Sequence, residues 1–172
     1  MLALSSSMEF AFKNKQYFSE HNVWQLPTSF VNRLGELSQS VLVNELIEDM
    51  VRWEELIKAA EEHVWVMTPQ VMPALSRATG ERLVKGIKLR SLLSEQLSET
   101  SKTYAQKGQH VERKFLSDIP AIIIVTEKEG SVSFPLLNGQ IHHAGFFGKD
   151  KLFLNWVNEL FVYYWDKAKK YP

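Results

Sequence analysis

The 172-residue sequence contains no cysteine and has a formal net charge of +0. Without cysteine, disulfide bonds, thiolate catalysis and cysteine-ligated zinc sites are excluded, and the absence fits a reducing compartment. The 20 basic and 20 acidic side chains balance each other. The surface as a whole therefore lacks the basic excess with which proteins bind nucleic acid or an anionic membrane.

Long apolar runs are also missing. No stretch approaches the length of a membrane span, and the N-terminal MLALSSSMEF lacks the basic region and the long apolar core of a signal peptide. With 45% hydrophobic and 23% charged residues, the composition is that of an ordinary globular domain. We therefore expect a cytoplasmic protein with no membrane partner.

Two segments have clear helical periodicity, with apolar residues recurring at spacings of three and four. In NELIEDMVRWEELIKAAEEH these are Leu46, Met50, Trp53, Ile57 and Ala60. The C-terminal segment KDKLFLNWVNELFVYYWDKAKK predicts a long aromatic helix, with Asp150 suited to its N-terminus and an apolar face of Leu152, Phe153, Trp156, Val157, Leu160, Phe161 and Tyr164. Shorter helices are predicted over residues 8–21 and after Pro27.

The middle of the chain predicts a strand, a helix and a second strand. VWVM, Val64–Met67, is apolar on both faces, as in a buried strand. Thr68 is placed to cap the next helix and Pro69 to occupy its first turn, and this helix should end at Gly86. IKLRSLL reads as the following strand, so the unit predicts a parallel pair joined by a crossover helix.

The later segments complete an α/β fold with a mixed sheet flanked by helices. A polar helix is predicted from Glu95 to Gly108, followed by the alternating strand VERKFL. AIIIVTEK is apolar and β-branched enough for a central strand. A hairpin should turn at Gly130, and LNGQ offers an Asn-Gly turn.

Four segments resemble a known family: YFSEHNVWQLPTSFVNRLGEL, LIKAAEEHVWVMTP, GIKLRSLL and LNGQIHHAGFFGKDKLFLNWVNELFVYYW. They are similar to the middle, effector domain of archaeal methanogenesis regulatory proteins, winged helix-turn-helix transcriptional regulators, over nearly the whole chain. The resemblance implies a phospholipase D-like fold. It also implies that residues 1–27 are the connecting helix after a missing winged helix-turn-helix, and that residues 28–172 form the effector-binding and dimerisation domain.

The implied fold invites a test for hydrolase chemistry. Phospholipase D-type hydrolysis needs a nucleophilic histidine with a lysine two residues later. None of the five histidines (His21, His63, His110, His142 and His143) is followed by lysine at that distance. We therefore expect the phospholipase D-like fold without its catalytic motif, and no enzyme.

Polar residues near strand ends are candidates for an effector site. Ligands of open parallel sheets bind beyond the carboxyl ends of the strands, at a helix N-terminus. The predicted contacts are Thr68, Gln70, Ser91, Thr126 and Glu127. The bland alternative is an ordinary helix cap at Thr68 with nothing bound. A pure interaction module, a third interpretation of the protein, predicts no cleft there.

The stretch IHHAGFFGKDK, residues 141–151, contains adjacent histidines. His142 and His143 could bind an anionic effector, could ligate a metal together with Glu127 or His110, or could serve a small hydrolase or transferase together with Glu127. Without a third ligand at recognisable spacing, we favour a turn that joins the last hairpin to the terminal helix. We expect no metal and no cofactor.

The remaining candidates are charged or aromatic. Arg90 and Glu127 lie on or near buried strands and could form an ion pair or contact the effector. The stripe of Trp156, Phe161, Tyr164 and Trp165 is first of all core packing, second a dimer interface and third a base-stacking surface. We predict a homodimeric sensor of an unknown small-molecule effector, which contacts DNA only through a helix-turn-helix domain absent from this chain.

Overall fold

The computed structural model describes residues 2–104 and 107–170. Its seven helices within these ranges are α1 (Leu2–Lys13), α2 (Lys15–Glu20), α3 (Thr28–Val31), α4 (Leu46–Ala59), α5 (Pro73–Val84), α6 (Ser98–Tyr104) and α7 (Lys151–Lys167). The strands are β1 (Val41–Val43), β2 (His63–Thr68), β3 (Lys88–Ser94), β4 (Val111–Leu116), β5 (Ile122–Thr126), β6 (Gly130–Ser133) and β7 (Gly145–Gly148).

The seven strands form one sheet in the order β1-β7-β6-β5-β2-β3-β4. Strands β2, β3 and β4 are mutually parallel, and α5 makes the predicted crossover between the first two. The other neighbours, including β2 and β5, pair antiparallel. The predicted mixed sheet flanked by helices is confirmed.

Helices cover both faces of the sheet and make a three-layer molecule. Helices α4 and α5 cover one face, where the core consists of Val43, Trp53, Leu56, Ile57, Ala60, Val64, Leu75, Ala78, Ile87, Leu89, Ile124 and Phe147. The N-terminal helices and α7 cover the other face with a larger, aromatic core that includes Phe10, Phe18, Met67, Ile123, Phe146, Trp156 and Phe161. In the described part of the chain no helix is long and apolar enough to cross a membrane.

The N-terminal helices are integral to this second core. The Tyr17 hydroxyl donates to the Ala144 carbonyl over 2.9 Å and accepts from the Phe134 N–H over 3.1 Å. The rings of Phe10 and Phe146 lie 5.2 Å apart. The division predicted after residue 27 therefore does not separate two cores, because residues on both sides of it pack together.

Helix α7 begins as predicted, since the Asp150 carboxylate accepts the Phe153 N–H over 3.2 Å. Trp156 and Phe161 are fully buried, Trp165 is 6% exposed and Tyr164 is half-buried. The aromatic stripe is thus core packing. This is the first of the three roles predicted for it, and the buried side chains offer almost no area to a second subunit.

Two details of the predicted helices are wrong. The helix expected from Thr68 begins instead at Pro73, with Met72 as its N-cap residue. In α4, Leu46 and Met50 are 50% and 40% exposed, while the intervening Asp49 is buried. Trp53, Ile57 and Ala60 are buried as predicted, so the helix departs from the prediction only in its first turns, where the Asp49 carboxyl group faces the core.

The stretch IHHAGFFGKDK is more than a connection, because Gly145–Gly148 forms strand β7 between β1 and β6. A Cβ atom at Gly145 would lie 2.7 Å from the Val132 carbonyl oxygen. Glycine is therefore required for this close approach of two strands. The predicted polar helix Glu95–Gly108 is a 3₁₀ turn at Glu95–Leu97 followed by α6, and its residues 105 and 106 lie outside the described residues.

Candidate functional site

A cleft lies between α5 and the sheet, on the face that α4 also covers. We call it the α5 cleft. Its cavity volume is about 80 Å³, and it is lined by Ile57, Val66, Thr68, Gln70, Val71, Met72, Leu75, Ser76, Thr79, Leu89, Ser91, Leu93, Arg113 and Ile124. Most of these side chains are apolar, and a few polar groups stand among them, as is usual for small-molecule sites.

The register of the sheet explains why these residues meet. Ile124 pairs with Val66, Val66 with Ser91, and Ser91 with Arg113, across four adjacent strands. Directly paired residues point to the same face of a sheet. The floor of the α5 cleft is therefore a row that changes from aliphatic at β5 to a hydroxyl at β3 and a guanidinium at β4.

Thr68 and Gln70 line the mouth of this cleft, though not at a helix N-terminus. The Thr68 hydroxyl donates to the Gln70 carbonyl over 3.0 Å and accepts its N–H over 3.2 Å. This turn ends β2, and α5 begins three residues after Gln70. The helix N-terminus predicted at Thr68 is therefore wrong, whereas Thr68, Gln70 and Ser91 do come together.

Thr126 and Glu127 do not join them. Because β5 runs antiparallel to β2, Thr126 pairs with Val64, near the start of β2, while Met67 near its end pairs with Ile123. Thr126 and Glu127 therefore lie at the opposite end of the strands from Thr68. The prediction treated β5 as parallel to β2, and it therefore placed residues from opposite ends of the strands in one crevice.

The Glu127 carboxylate binds the backbone after α4. One oxygen accepts the Glu61 N–H over 2.7 Å, and the other accepts those of Glu62 and His63 over 3.2 and 3.3 Å. Burial acts to raise the pKa of Glu127, but these N–H groups outweigh it and hold the pKa below its ordinary value. This geometry gives Glu127 a structural role at the end of α4.

Arg90 is not paired with Glu127 either. Its Nε lies 3.1 Å from Glu112 on the neighbouring strand. The centre of the guanidinium is 5.2 Å from the Trp65 ring and 5.4 Å from the Trp165 ring. Arg90 thus sits between two indoles on the α7 side of the sheet, facing away from the α5 cleft.

The adjacent histidines make two sets of polar contacts just before β7, and their own rings lie 4.7 Å apart. His21 Nδ1 lies 2.7 Å from the Tyr17 carbonyl, His21 Nε2 lies 2.8 Å from His142 Nδ1, and His143 Nδ1 lies 2.7 Å from Asp49 Oδ2. A carbonyl only accepts, so His21 Nδ1 carries the hydrogen and neutral His21 accepts from His142. We call Asp49, His143, His142 and His21 the histidine chain.

Burial controls the protonation of this chain. It raises the pKa of Asp49 to about 6, against the opposing hydrogen bond from His143. Burial also lowers the pKa of His142, and the neighbouring His21 and His143 lower it further. The pKa of His21 is lowered by burial too, although its bond to the Tyr17 carbonyl acts in the other direction. The neutral imidazole is therefore favoured at His142 and at His21.

The histidine chain does not assemble the predicted catalytic or metal-binding sets. Glu127 lies where β5 passes into β6, whereas His142 and His143 lie at the other edge, just before β7. Within the described ranges, no group of three or more histidine, aspartate or glutamate side chains could hold a metal ion. His142 instead lines a second, more polar cleft with Gln25, Ser94 and Gln96.

Sequence reasoning missed Arg113 and the partners of the adjacent histidines. Arg113 lies two residues from both Val111 and Phe115 along β4, so the three side chains share one face of the sheet, and Phe115 is buried. This two-residue spacing places Arg113 on a covered face, which could have been predicted from the sequence. His21 and Asp49 gave no such signal, since they are 121 and 94 residues distant in sequence from the histidines they contact.

Comparison with known proteins identifies a matching family. Residues 48–167 match the model of the family described as methanogenesis regulatory protein FilR1, middle domain. This match covers more than two thirds of the chain and includes every helix and strand from α5 to α7. No curated protein matches this sequence significantly.

Solved structures show the fold. An archaeal chromatin protein, TrmBL2, superposes with a TM-score of 0.63 and 17% identity, covering 77% of this chain and 54% of that one. The chain thus spans about half the length of TrmBL2. NucT from Helicobacter pylori gives a TM-score of 0.62 with 11% identity, covering 77% of this chain and 99% of that one. Nuc from Salmonella typhimurium, a phospholipase D family member, gives 0.55 with 10% identity and the same two coverages. The fold is phospholipase D-like.

Proposed function

Because the chain belongs to the FilR1 middle-domain family of methanogenesis regulatory proteins, we propose that it is the effector-binding and dimerisation domain of an archaeal transcriptional regulator. DNA contact is assigned to a winged helix-turn-helix domain outside this sequence. TrmBL2, the archaeal chromatin protein of similar fold, binds DNA in a mode described as novel. The balanced charge of this chain gives no reason to assign DNA binding to the domain itself.

The α5 cleft is the observation that carries the proposal. It lies between a crossover helix and the sheet, so an occupant would contact β2, β3, β4 and α5 at once. Such an occupant stabilises the arrangement of helix and sheet that fits it best. A difference of a few kcal/mol in affinity between two arrangements is enough to couple binding to a distant domain.

The test is a thermal-shift screen of the protein against coenzymes, organic acids, phosphates, and zinc with and without a chelator. A ligand at a hundred times its dissociation constant stabilises the fold by about 2.7 kcal/mol. Two variants of α5 then locate the ligand. Ser76→Phe places a ring in the cleft, and Arg77→Phe, at the next and exposed position, is the matched control.

We expect a shift from one class of metabolite that Ser76→Phe abolishes and Arg77→Phe preserves. A shift insensitive to Ser76→Phe would place the effector elsewhere. If no compound in the panel shifts the melting temperature, the sensor function is rejected and the interaction module is favoured. A zinc shift reversed by the chelator would instead favour a metal site.

Dimerisation needs a surface other than the buried stripe of α7. The segment of β1 and early α4 exposes five aliphatic side chains within eleven residues: Val41, Leu46, Ile47, Met50 and Val51. Strand β1 is also an edge of the sheet, with β7 as its one neighbour. Exposed aliphatic residues beside an unpaired edge are typical of interaction surfaces.

We propose that a second copy of the chain covers this patch. Helix α4 carries Glu48 and Arg52 along it, so two antiparallel copies would place opposite charges against each other across a two-fold axis. Light scattering should show a dimer for the wild type and a monomer for Ile47→Glu. Val84→Glu, at an 89% exposed position on α5, should stay dimeric. A dimer that persists in Ile47→Glu would reject this surface.

A further inference from the structure

The second cleft, which His142 lines, lies beyond the carboxyl ends of three parallel strands. Pro69 follows β2, Ser94 ends β3, and Ser117 and Asp118 follow β4. Its cavity volume is about 410 Å³, against about 80 Å³ for the α5 cleft, and no described residue lines both clefts. Ligands of open parallel sheets bind at this end of the strands, and the volume is that of a small-molecule site.

His142 offers the second cleft a hydrogen-bond acceptor. His21 Nδ1 donates its hydrogen to the Tyr17 carbonyl, so His21 Nε2 accepts the hydrogen on His142 Nδ1 over 2.8 Å. The other ring nitrogen of neutral His142, Nε2, therefore holds a lone pair. Among the described residues it has no hydrogen-bond partner, and it is not one of their buried unpaired atoms. A ligand in the cleft can donate a hydrogen bond to it.

Two further acceptors come from other segments of the chain. The Gln25 amide nitrogen donates to the Pro120 carbonyl over 2.8 Å, which leaves the amide oxygen to accept. Asp118, exposed in the loop between β4 and β5, presents a carboxylate, which only accepts. With His142 neutral, Asp118 carries the one formal charge among the described lining residues, and none of them is lysine or arginine. The cleft therefore favours a ligand that supplies donors and a positive charge.

A primary ammonium group matches this combination. It has three N–H donors and no acceptor, and its hydrogen bond to a carboxylate is stronger than that of a neutral hydroxyl. A neutral alcohol would exchange its bonds to water for similar bonds to protein, with little net gain. An anion would be repelled by Asp118, with no cation from the described lining to offset the repulsion.

The remaining polar groups of the second cleft suit the hydroxyl groups of a ligand. Ser94 pairs with Leu116, so its hydroxyl lies near that of Ser117, and each can both donate and accept. The Ser94 hydroxyl already accepts the Gln96 N–H over 3.4 Å, and its hydrogen is left to donate. Ile122, at the start of β5, adds apolar surface for the carbon skeleton.

We propose that the second cleft binds a small hydroxylated primary amine. Its ammonium group is bound by the acceptors of Asp118, Gln25 and His142. Its hydroxyl groups lie toward the end of β3, against Ser94 and Ser117. This site is separate from the effector site proposed in the α5 cleft, and either site can exist without the other.

The experiment compares three probes with the same carbon skeleton: glucamine, which is a primary amine, sorbitol, which is neutral, and gluconate, which is an anion. Binding to the full 172-residue chain is measured by calorimetry near neutral pH. Asp118→Asn removes the charge and keeps the shape of the side chain. Asp166→Asn, the matched control, makes the same change at an exposed position on α7 outside the cleft. Ser76→Phe, which places a ring in the α5 cleft, tests whether the two clefts are separate.

We expect glucamine to bind at least roughly fivefold more tightly than sorbitol, because its ammonium group adds a charged hydrogen bond. Gluconate should bind more weakly than sorbitol. Asp118→Asn should reduce the affinity for glucamine to that for sorbitol, whereas Asp166→Asn and Ser76→Phe should leave it within a factor of about two. Added salt should weaken the binding of glucamine and leave that of sorbitol unchanged. The comparison of probes on the wild type does not depend on any variant folding.

Equal affinities for glucamine and sorbitol would overturn the ammonium assignment. So would tightest binding by gluconate, or glucamine binding that Asp118→Asn leaves unchanged. Glucamine binding that Ser76→Phe abolishes would place the amine in the α5 cleft and overturn the second site. If none of the three probes binds, the second site is rejected, while the sensor function proposed for the α5 cleft depends only on the metabolite screen.

Discussion

The imidazole of His143 lies 2.7 Å from the buried carboxyl group of Asp49, 94 residues earlier in the chain. Asp49 is fully buried, whereas the His143 side chain is 26% exposed. The pair therefore joins α4 to the segment before β7 through one buried acid and one partly solvated base. The protonation state of this pair therefore affects the free energy of unfolding.

We first predict a pH-dependent contribution from Asp49. Its folded-state pKa, about 6, is above the ordinary 3.8, so the folded protein binds this proton more tightly than the unfolded chain. The resulting stabilisation is complete below about pH 4 and is lost as the pH rises through 6. Compared with Asp49→Asn, the wild type should lose up to about 3 kcal/mol of unfolding free energy between these values.

Urea unfolding of both proteins at intervals from pH 4 to pH 7.5 measures this difference. Asp118→Asn, at an exposed position, serves as the control. A constant difference between the wild type and Asp49→Asn over the whole interval would contradict the prediction.

The second prediction concerns His142 and has the opposite sign. Its folded-state pKa is below the ordinary 6.5, so the unfolded chain takes up the proton first. The stabilisation is present above pH 6.5 and is lost as the pH falls through the folded-state pKa. His142→Gln should therefore lose less stability than the wild type on acidification from pH 7.5 to pH 5.

The same unfolding series measures this effect, with His110→Gln at an exposed position as the control. A His142→Gln variant that is as acid-sensitive as the wild type would show that His142 does not need to be neutral.

The third prediction tests the contact between β6 and β7. A Cβ atom at Gly145 would lie 2.6 Å from the Ser133 Cβ and 2.7 Å from the Val132 carbonyl oxygen. Gly145→Ala should therefore force the strands apart and cost about 1–3 kcal/mol. Lys149→Ala, at an exposed residue just beyond β7, should change the melting temperature very little. An unchanged melting temperature for Gly145→Ala would show that this edge of the sheet is loose.

The fourth prediction separates the two kinds of contact that Arg90 makes. Its ion pair with Glu112 is partly exposed and should be worth at most about 1 kcal/mol. Its position between Trp65 and Trp165 adds cation–π attraction and packing of the side chain on two indoles. Arg90→Ala should therefore cost about 1–2 kcal/mol, clearly more than Glu112→Ala. Equal losses in denaturant unfolding would mean that the ion pair carries the whole effect.

Periodicity predicted α4 and α7 because each of these helices buries one apolar face. Strand β5 was predicted from its apolar, β-branched composition, and Gly86 with its φ of +90° ends the crossover between β2 and β3 as expected. Strand β7 was missed because GFFG has the composition of a loop. It is a strand because β1 and β6, its two neighbours in the sheet, supply its hydrogen-bond partners.

The candidate site was only partly predictable, because local sequence does not specify the direction in which a strand enters the sheet. Thr68 and Ser91 were grouped correctly because both follow from the parallel unit. Thr126 was misplaced because β5 enters the sheet in the opposite direction. The role of Asp49 was hidden for another reason: a carboxyl group on a helix usually faces solvent, and its burial depends on a histidine far along the chain.

The pairing of β1 with β7 also has a consequence for the order in which the molecule forms. Strand β1 ends at Val43, and its single neighbour begins at Gly145, so a ribosome must add about a hundred residues before that ladder can close. Until then the nascent chain presents an open strand followed by the exposed aliphatic residues of α4. Such long-range closure slows folding, and the interval is one in which the growing polypeptide is open to capture by chaperones or by its own copies.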